Sequence, residues 1–188
     1  MLMRLTLPTA ITLFRIALIP LFIIVFYLPF SWANIVASAI FAVACVSDWV
    51  DGYLARSMQQ ESPFGAFLDP VADKLMVVVI IVLLVQTNPS IYVALPSVII
   101  VAREISISAL REWMAQIGSR DTVKVSFIGK IKTFSQMWAL GFMIFSDTFF
   151  GLPIFDIGLA IYYLAAILTI LSMIIYLRAA WPALTRNS

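Results

Sequence analysis

The sequence has no histidine and only one cysteine, Cys45. A disulfide framework needs pairs of cysteines, and zinc sites, haem ligation by histidine and Ser-His-Asp triads need residues that this chain does not have. We therefore do not expect any of these sites in this protein. If the protein binds a metal ion, oxygen atoms must supply the ligands.

Charged residues are also scarce. They make up 12% of the 188 residues, whereas 63% are hydrophobic and the mean hydropathy is +1.04. This composition is far from that of soluble globular domains and predicts an integral membrane protein. The net charge is only +2, and the basic residues are scattered along the chain, so nucleic acid is not an expected partner.

Six apolar stretches are long enough to cross a hydrocarbon core of about 30 Å. The predicted spans lie near residues 12–30, 32–55, 65–86, 91–110, 127–147 and 157–177. Lys and Arg are concentrated at the termini and after the second and fourth spans, which places both termini in the cytosol. We expect an all-α integral membrane protein with one domain over residues 1–188. A short interfacial segment at 1–11 and a polar cavity open to the cytosol complete this prediction.

Four of the 10 acidic residues lie close together in the sequence, at the cytosolic ends of the second and third spans: Asp48, Asp51, Asp69 and Asp73. Spacings of three and four put each pair on one helical face, within about 12 Å of the helix end at a rise of about 1.5 Å per residue. Four neighbouring anions would repel each other unless cations compensate them. The pattern predicts two Mg²⁺ or Mn²⁺ ions and, with them, phosphoryl-transfer chemistry.

Small residues and one arginine accompany these carboxylates. Gly52, Ala55 and Gly65 would let a bulky ligand approach the backbone, and Arg56 can contact a phosphate group. Close contact between helices is the alternative reason for small residues in a membrane.

The complete pattern resembles the motif of the CDP-alcohol phosphotransferase family. It reads Asp48-x-x-Asp51-Gly52-x-x-Ala55-Arg56, eight further residues, then Gly65-x-x-x-Asp69-x-x-x-Asp73. The resemblance implies a six-helix membrane enzyme, usually a homodimer, that moves a phosphatidyl group from CDP-diacylglycerol to an alcohol and releases CMP. It further implies that the four aspartates hold two divalent ions and that Asp73 is also the general base. Gly52, Ala55, Arg56 and Gly65 are expected to bind CDP-diacylglycerol.

The acceptor alcohol must be recognised by other residues. Arg103 and Arg111 near the end of the fourth span, with Lys130 at the start of the fifth, form a predicted basic pocket suited to a phosphate-bearing acceptor. Ordinary basic residues at the cytosolic surface are the alternative.

Three segments refine the resemblance. Residues 101–116, 128–133 and 12–15 are similar to those of bacterial members that use glycerol 3-phosphate, which implies an inner-membrane location and adds Thr12 and Arg15 to the expected acceptor site. Pairing of Arg15 with a motif carboxylate is an equally open interpretation. Thr9 stands where relatives often have Asn, so the role of this segment is left open.

Other functions are weighed against this one. Another family member with inositol phosphate as acceptor is the nearest competitor. A cation transporter would also place carboxylates in a membrane, but nearer the midplane. An intramembrane transferase for prenyl diphosphates would show a different Asp spacing.

Overall fold

A computed structural model of the chain describes residues 7–58, 63–116 and 127–186. At positions 7, 8, 51–58, 63, 66, 127 and 183–186 it describes the backbone without the side chain. The described residues form six helices and one small hairpin, so the predicted all-α class is confirmed. The elements are α1 (Leu7–Phe26), α2 (Ala33–Met58), α3 (Pro63–Thr87), α4 (Ile91–Gln116), α5 (Phe127–Phe145), β1 (Thr148–Phe149), β2 (Leu152–Pro153) and α6 (Ile154–Arg186).

Four of these helices contain stretches that are long and apolar enough to cross a membrane. The stretches are Thr9–Phe26, Ala33–Val50, Ile91–Gln116 and Ile154–Pro182. The chain is therefore an α-helical membrane protein, whereas the number of six spans and the polar cavity stay predictions.

The ends of α1 differ from the predicted span at 12–30. The helix begins at Leu7, so residues 7–11 are its first turns, while residues 1–6 lie outside the described part of the chain. Proline is tolerated in a first turn, which accommodates Pro8. The helix ends at Phe26 because Pro29 disfavours the helical conformation of Leu28 before it.

A two-residue turn joins the strands of the hairpin, which the sequence did not predict. Thr148 pairs with Pro153 and Phe149 with Leu152, and both turn residues have positive φ, 51° at Phe150 and 77° at Gly151. Two consecutive positive φ angles are typical of the tight turns that match the twist of paired strands. The hairpin provides the short connection between α5 and α6.

The chain divides into two compact units, each formed by two stretches of sequence. Unit 1 consists of Met1–Leu84 and Gly141–Phe155, and unit 2 of Val85–Leu140 and Asp156–Ser188. The single domain over residues 1–188 stays a prediction.

Unit 1 has a core in which α1 packs against α2. Phe22 of α1 and Ala37, Phe41 and Ala44 of α2 are all buried. The alanines recur on one face of α2, and small residues at this spacing allow helix backbones to approach closely.

Unit 2 has an apolar cluster formed by α4 and α6. Ile107 and Met114 of α4 contact Tyr176 and Ala180 of α6. The two helices also share a buried hydrogen bond between the hydroxyl groups of Ser97 and Tyr162, 3.1 Å apart.

Candidate active site

The buried face of α2 leads directly to the first predicted metal ligand. Ala37, Phe41 and Ala44 follow one another at intervals of one helical turn, and Asp48 comes one turn after Ala44. Burial of the apolar residues therefore fixes the rotation of α2 and directs Asp48 to the same side. The carboxyl side chain is 47% exposed, so it remains accessible to a ligand.

The same argument places the predicted ligands on α3. Asp69 and Asp73 lie one turn apart, and Met76 and Ile80, each seven residues further on, are buried. Packing of the apolar half of α3 thus orients the polar half. Asp73 keeps 42% of its side chain exposed.

Two polar side chains of α1 contact these carboxylates. Thr12 is fully buried and its hydroxyl donates a hydrogen bond to Oδ1 of Asp69 at 2.5 Å. Arg15, one turn later, has Nη1 2.8 Å from Oδ1 of Asp48 and donates a hydrogen bond from the same nitrogen to Oδ1 of Asp73. Residues from α1, α2 and α3 therefore meet in one cluster, which we call the carboxylate cluster: Thr12, Arg15, Asp48, Asp69 and Asp73.

A single buried cation balances two anions in the carboxylate cluster. Arg15 is 2% exposed, and carboxylate oxygens from α2 and α3 both lie next to its Nη1 nitrogen. Convergent carboxylate oxygens are also the ligands that Mg²⁺ and Mn²⁺ prefer. The chemistry of the donor set therefore fits a hard divalent cation.

Asp51 completes the predicted ligand set, but its side chain lies outside the described part of the structure. Among the side chains that are described, no group of three His, Cys, Asp or Glu residues forms a ready metal site. The two-ion site stays a prediction.

The residues expected to bind CDP-diacylglycerol lie at the end of α2 and the start of α3. Gly52, Ala55 and Arg56 belong to the last turns of α2, where only the backbone is described, and Gly65 is buried in the first turn of α3. Their contacts with a nucleotide stay a prediction.

Unit 2 contains a second polar cluster, formed by α4, α5 and α6. Lys132 of α5 donates a hydrogen bond to Oε1 of Glu104 on α4, and Nη1 of Arg103 lies 3.4 Å from the same oxygen. Nη2 of Arg103 donates to the hydroxyl of Ser172 on α6 at 3.1 Å. The guanidinium also lies over the ring of Tyr176, 5.6 Å from its centroid. We call Arg103, Glu104, Lys132, Ser172 and Tyr176 the basic cluster.

The predicted acceptor residues differ in their exposure. Arg103 is buried in the basic cluster, whereas Arg111 on α4 and Lys130 on α5 are exposed. Lys130 shares its face of α5 with Phe134 and Trp138, which are 66% and 51% exposed.

Lys132 belongs to the same run of basic residues as Lys130 but is not among the predicted acceptor contacts, although it is 2% exposed and pairs with Glu104. The neighbouring residues of α5, rather than the residue type, show which way Lys132 faces. Ser135 and Gln136 follow Lys132 by three and four residues and are both buried, so Lys132 lies on the inward face of α5. Lys130, two residues earlier, is rotated by about 200° around the helix.

Comparison with known proteins agrees with the motif. The family model described as CDP-alcohol phosphatidyltransferase matches residues 5–178. Proteins of Salmonella typhimurium and Escherichia coli, both named CDP-diacylglycerol–glycerol-3-phosphate 3-phosphatidyltransferase, are each 49% identical to this chain over 178 residues. Each alignment covers 95% of this chain and 96% of the relative. The chain belongs to the CDP-alcohol phosphatidyltransferase family.

Proposed function

We propose that this protein transfers the phosphatidyl group of CDP-diacylglycerol to glycerol 3-phosphate, giving phosphatidylglycerophosphate and CMP. The observation that carries the proposal is the 49% identity, over 95% of the chain, with relatives that are named for this reaction. The phosphate-bearing acceptor agrees with the surplus of positive charge in the basic cluster.

The transfer is a substitution at phosphorus. The 1-hydroxyl oxygen of glycerol 3-phosphate forms a bond to the phosphorus that carries diacylglycerol, and the bond from that phosphorus to the oxygen of CMP breaks. The hydroxyl proton passes to the general base and CMP leaves with the electron pair of the broken bond. No oxidant or further reactant is required.

Asp73 is the proposed general base. Its carboxylate is 42% exposed and therefore accessible to a hydroxyl group, while Arg15 holds one of its oxygens. A carboxylate fixed in this way can accept a proton as the acceptor oxygen attacks.

Asp48, Asp51, Asp69 and Asp73 are the residues that would hold two divalent cations, Mg²⁺ or Mn²⁺. Bound there, such ions stabilise negative charge on phosphate oxygens during transfer. The family generally depends on divalent cations. Thr12 and Arg15 orient three of the four carboxylates and limit their mutual repulsion.

The substrates are assigned to separate groups of residues. Gly52, Ala55, Arg56 and Gly65 would seat the cytidine diphosphate, because small residues allow close approach and arginine binds phosphate. Arg103, Arg111 and Lys130 are the proposed contacts for the acceptor phosphate, with Thr12 and Arg15 as further candidates. Lys132 is buried beside Glu104, which also pairs with Arg103. This position supports adding Lys132 to the proposed contacts for the acceptor phosphate.

The proposed setting is the bacterial inner membrane. Basic residues at the termini, near the end of α2 and in the connection after α4 support a cytosolic active site and cytosolic ends. We further propose that the protein forms a homodimer and that membrane lipids bind to each chain.

An acceptor panel tests the function. Purified protein in detergent micelles with CDP-diacylglycerol and Mg²⁺ is supplied separately with glycerol 3-phosphate, inositol phosphate or serine, and CMP and the lipid product are measured. CMP and phosphatidylglycerophosphate are expected with glycerol 3-phosphate. If inositol phosphate or serine gives CMP and glycerol 3-phosphate does not, the acceptor assignment is wrong.

A further inference from the structure

Two buried cations in unit 2 share one carboxylate oxygen. Lys132 donates a hydrogen bond to Oε1 of Glu104, and Nη1 of Arg103 lies 3.4 Å from it. The side chains of Lys132 and Arg103 are 2% and 10% exposed, and that of Glu104 is 20% exposed. Two positive charges therefore face one negative charge, and one positive charge in this trio is not compensated.

The position of Arg103 is fixed by α6. Ser172 donates its own proton to the carbonyl oxygen of Thr169 at 2.9 Å, which leaves the hydroxyl oxygen to accept a hydrogen bond from Arg103. The ring of Tyr176 lies against the guanidinium, a favourable contact between a cation and an aromatic face. Arg103 is thus oriented before any ligand arrives.

One donor of this oriented arginine is unused. Within the described residues, Nε of Arg103 is buried and meets no hydrogen-bond acceptor. Tyr176 also belongs to the apolar cluster with Ile107, Met114 and Ala180, so the surroundings on that side exclude water. A buried N–H without a partner, next to uncompensated positive charge, is suited to an anionic oxygen.

We infer that Glu104 is a positioning residue for the acceptor. Its carboxylate holds the Lys132 ammonium and the Arg103 guanidinium in place. The remaining positive charge attracts the acceptor phosphate, and the unused N–H at Nε of Arg103 donates a hydrogen bond to one of its oxygens. The inference rests on the proposed function, because the phosphate concerned is that of glycerol 3-phosphate. Glu104 itself does not touch the reacting atoms.

A carboxylate that only neutralised the basic cluster would have the opposite effect. Removing its charge would then raise the net positive charge and strengthen the binding of any anion. A positioning residue acts through geometry, since lysine has a long flexible stem and arginine binds phosphate well only in the correct orientation. The direction of the change in KM therefore distinguishes the two roles.

The test compares Glu104→Gln with Glu112→Gln, a matched change at an exposed position of the same helix. Glycerol 3-phosphate and CDP-diacylglycerol are varied separately, with CMP release as the measurement. We expect Glu104→Gln to raise the KM for glycerol 3-phosphate about tenfold, with kcat and the KM for CDP-diacylglycerol changed less than about twofold. Glu112→Gln is expected to match the wild type.

A conservative variant keeps the test decisive if Glu104→Gln does not fold. Glu104→Asp retains the charge but withdraws the carboxylate by one methylene, so a smaller rise in the same KM is expected. An unchanged or lower KM for glycerol 3-phosphate in the folded variants overturns the inference while leaving the proposed function intact. If the wild type releases no CMP with glycerol 3-phosphate, the proposed function fails and the inference fails with it.

Discussion

Arg15 on α1 donates a hydrogen bond to Asp73 on α3, and the side chain of Arg15 is only 2% exposed. The same guanidinium nitrogen lies 2.8 Å from Asp48 on α2. The first helix therefore supplies the positive charge that brings together carboxylates from the next two helices. Arg15 lies outside the Asp motif but is part of its structure.

Replacing Arg15 should destabilise the metal-free protein. Arg15→Met keeps much of the side-chain volume but leaves Asp48 and Asp73 without their common counterion. Breaking a buried ion pair costs about 3–5 kcal/mol, and because both carboxylates are nearly half exposed we expect about 2 kcal/mol here. Thermal unfolding in EDTA measures the loss.

Added Mg²⁺ provides the complementary arm of that experiment. An ion that binds only the folded state stabilises it by mass action, so excess Mg²⁺ should recover part of the lost stability. Arg178→Met, at an exposed position of α6, is the matched control and should unfold like the wild type. Equal stability of Arg15→Met and wild type in EDTA would show that the ion pairs contribute nothing.

Thr12→Val removes one hydroxyl group from the carboxylate cluster. Valine has nearly the same shape, but Asp69 loses the hydrogen bond that now orients it at 2.5 Å. We expect kcat to fall about tenfold, with Thr12→Ser restoring most of the loss because the donor returns. The initial rate of CMP release at saturating substrate concentrations measures kcat. Wild-type activity in Thr12→Val would contradict an orienting role for Thr12.

Asp69→Asn should abolish turnover, by about a thousandfold or more, while leaving the helices folded. The amide can still accept the hydrogen bond from Thr12, but it has lost the negative charge required of a metal ligand. CMP release and thermal stability are measured on the same sample. Asp156→Asn, exposed in the first turn of α6, is the control that should retain activity. A fully active Asp69→Asn would refute the two-ion site.

The orientation of Asp48, Asp69 and Asp73 could be predicted from sequence because helical spacing fixes which residues share a face. The apolar residues on the same faces of α2 and α3 are buried, which is why the spacing was a reliable guide. For Arg15 the sequence left two partners open, a phosphate and a motif carboxylate, and the structure pairs it with Asp48 and Asp73. Its position on α1 fixes a face, but a phosphate and a carboxylate present the same oxygen chemistry to a guanidinium.

The basic residues of α5 show a different limit. Lys130 and Lys132 are chemically identical and two positions apart, so only the burial of the neighbouring residues distinguishes the two faces. The hairpin after α5 was missed because Phe150 adopts a positive φ, a conformation that its residue type rarely takes.

Arg111→Ala should raise the concentration of glycerol 3-phosphate that the protein needs for activity. Arg111 is exposed on α4, so we expect its removal to affect ligand binding rather than the packing of the helix. We expect the KM for glycerol 3-phosphate to rise about tenfold while the KM for CDP-diacylglycerol stays the same. An unchanged dependence on glycerol 3-phosphate would remove Arg111 from the acceptor site.

Lys130 and Lys132 provide a comparison between two lysines on opposite faces of one helix. Lys132→Met removes the hydrogen bond to Glu104, which keeps Arg103 as its remaining partner, and we expect a loss of stability of about 2 kcal/mol together with a higher KM for glycerol 3-phosphate. Lys130→Met removes the same charge from an exposed face, so its stability should remain within about 0.5 kcal/mol of wild type. Any rise in KM caused by Lys130→Met therefore reports ligand binding directly. Equal thermal stability of the two variants would contradict the buried pairing of Lys132 with Glu104.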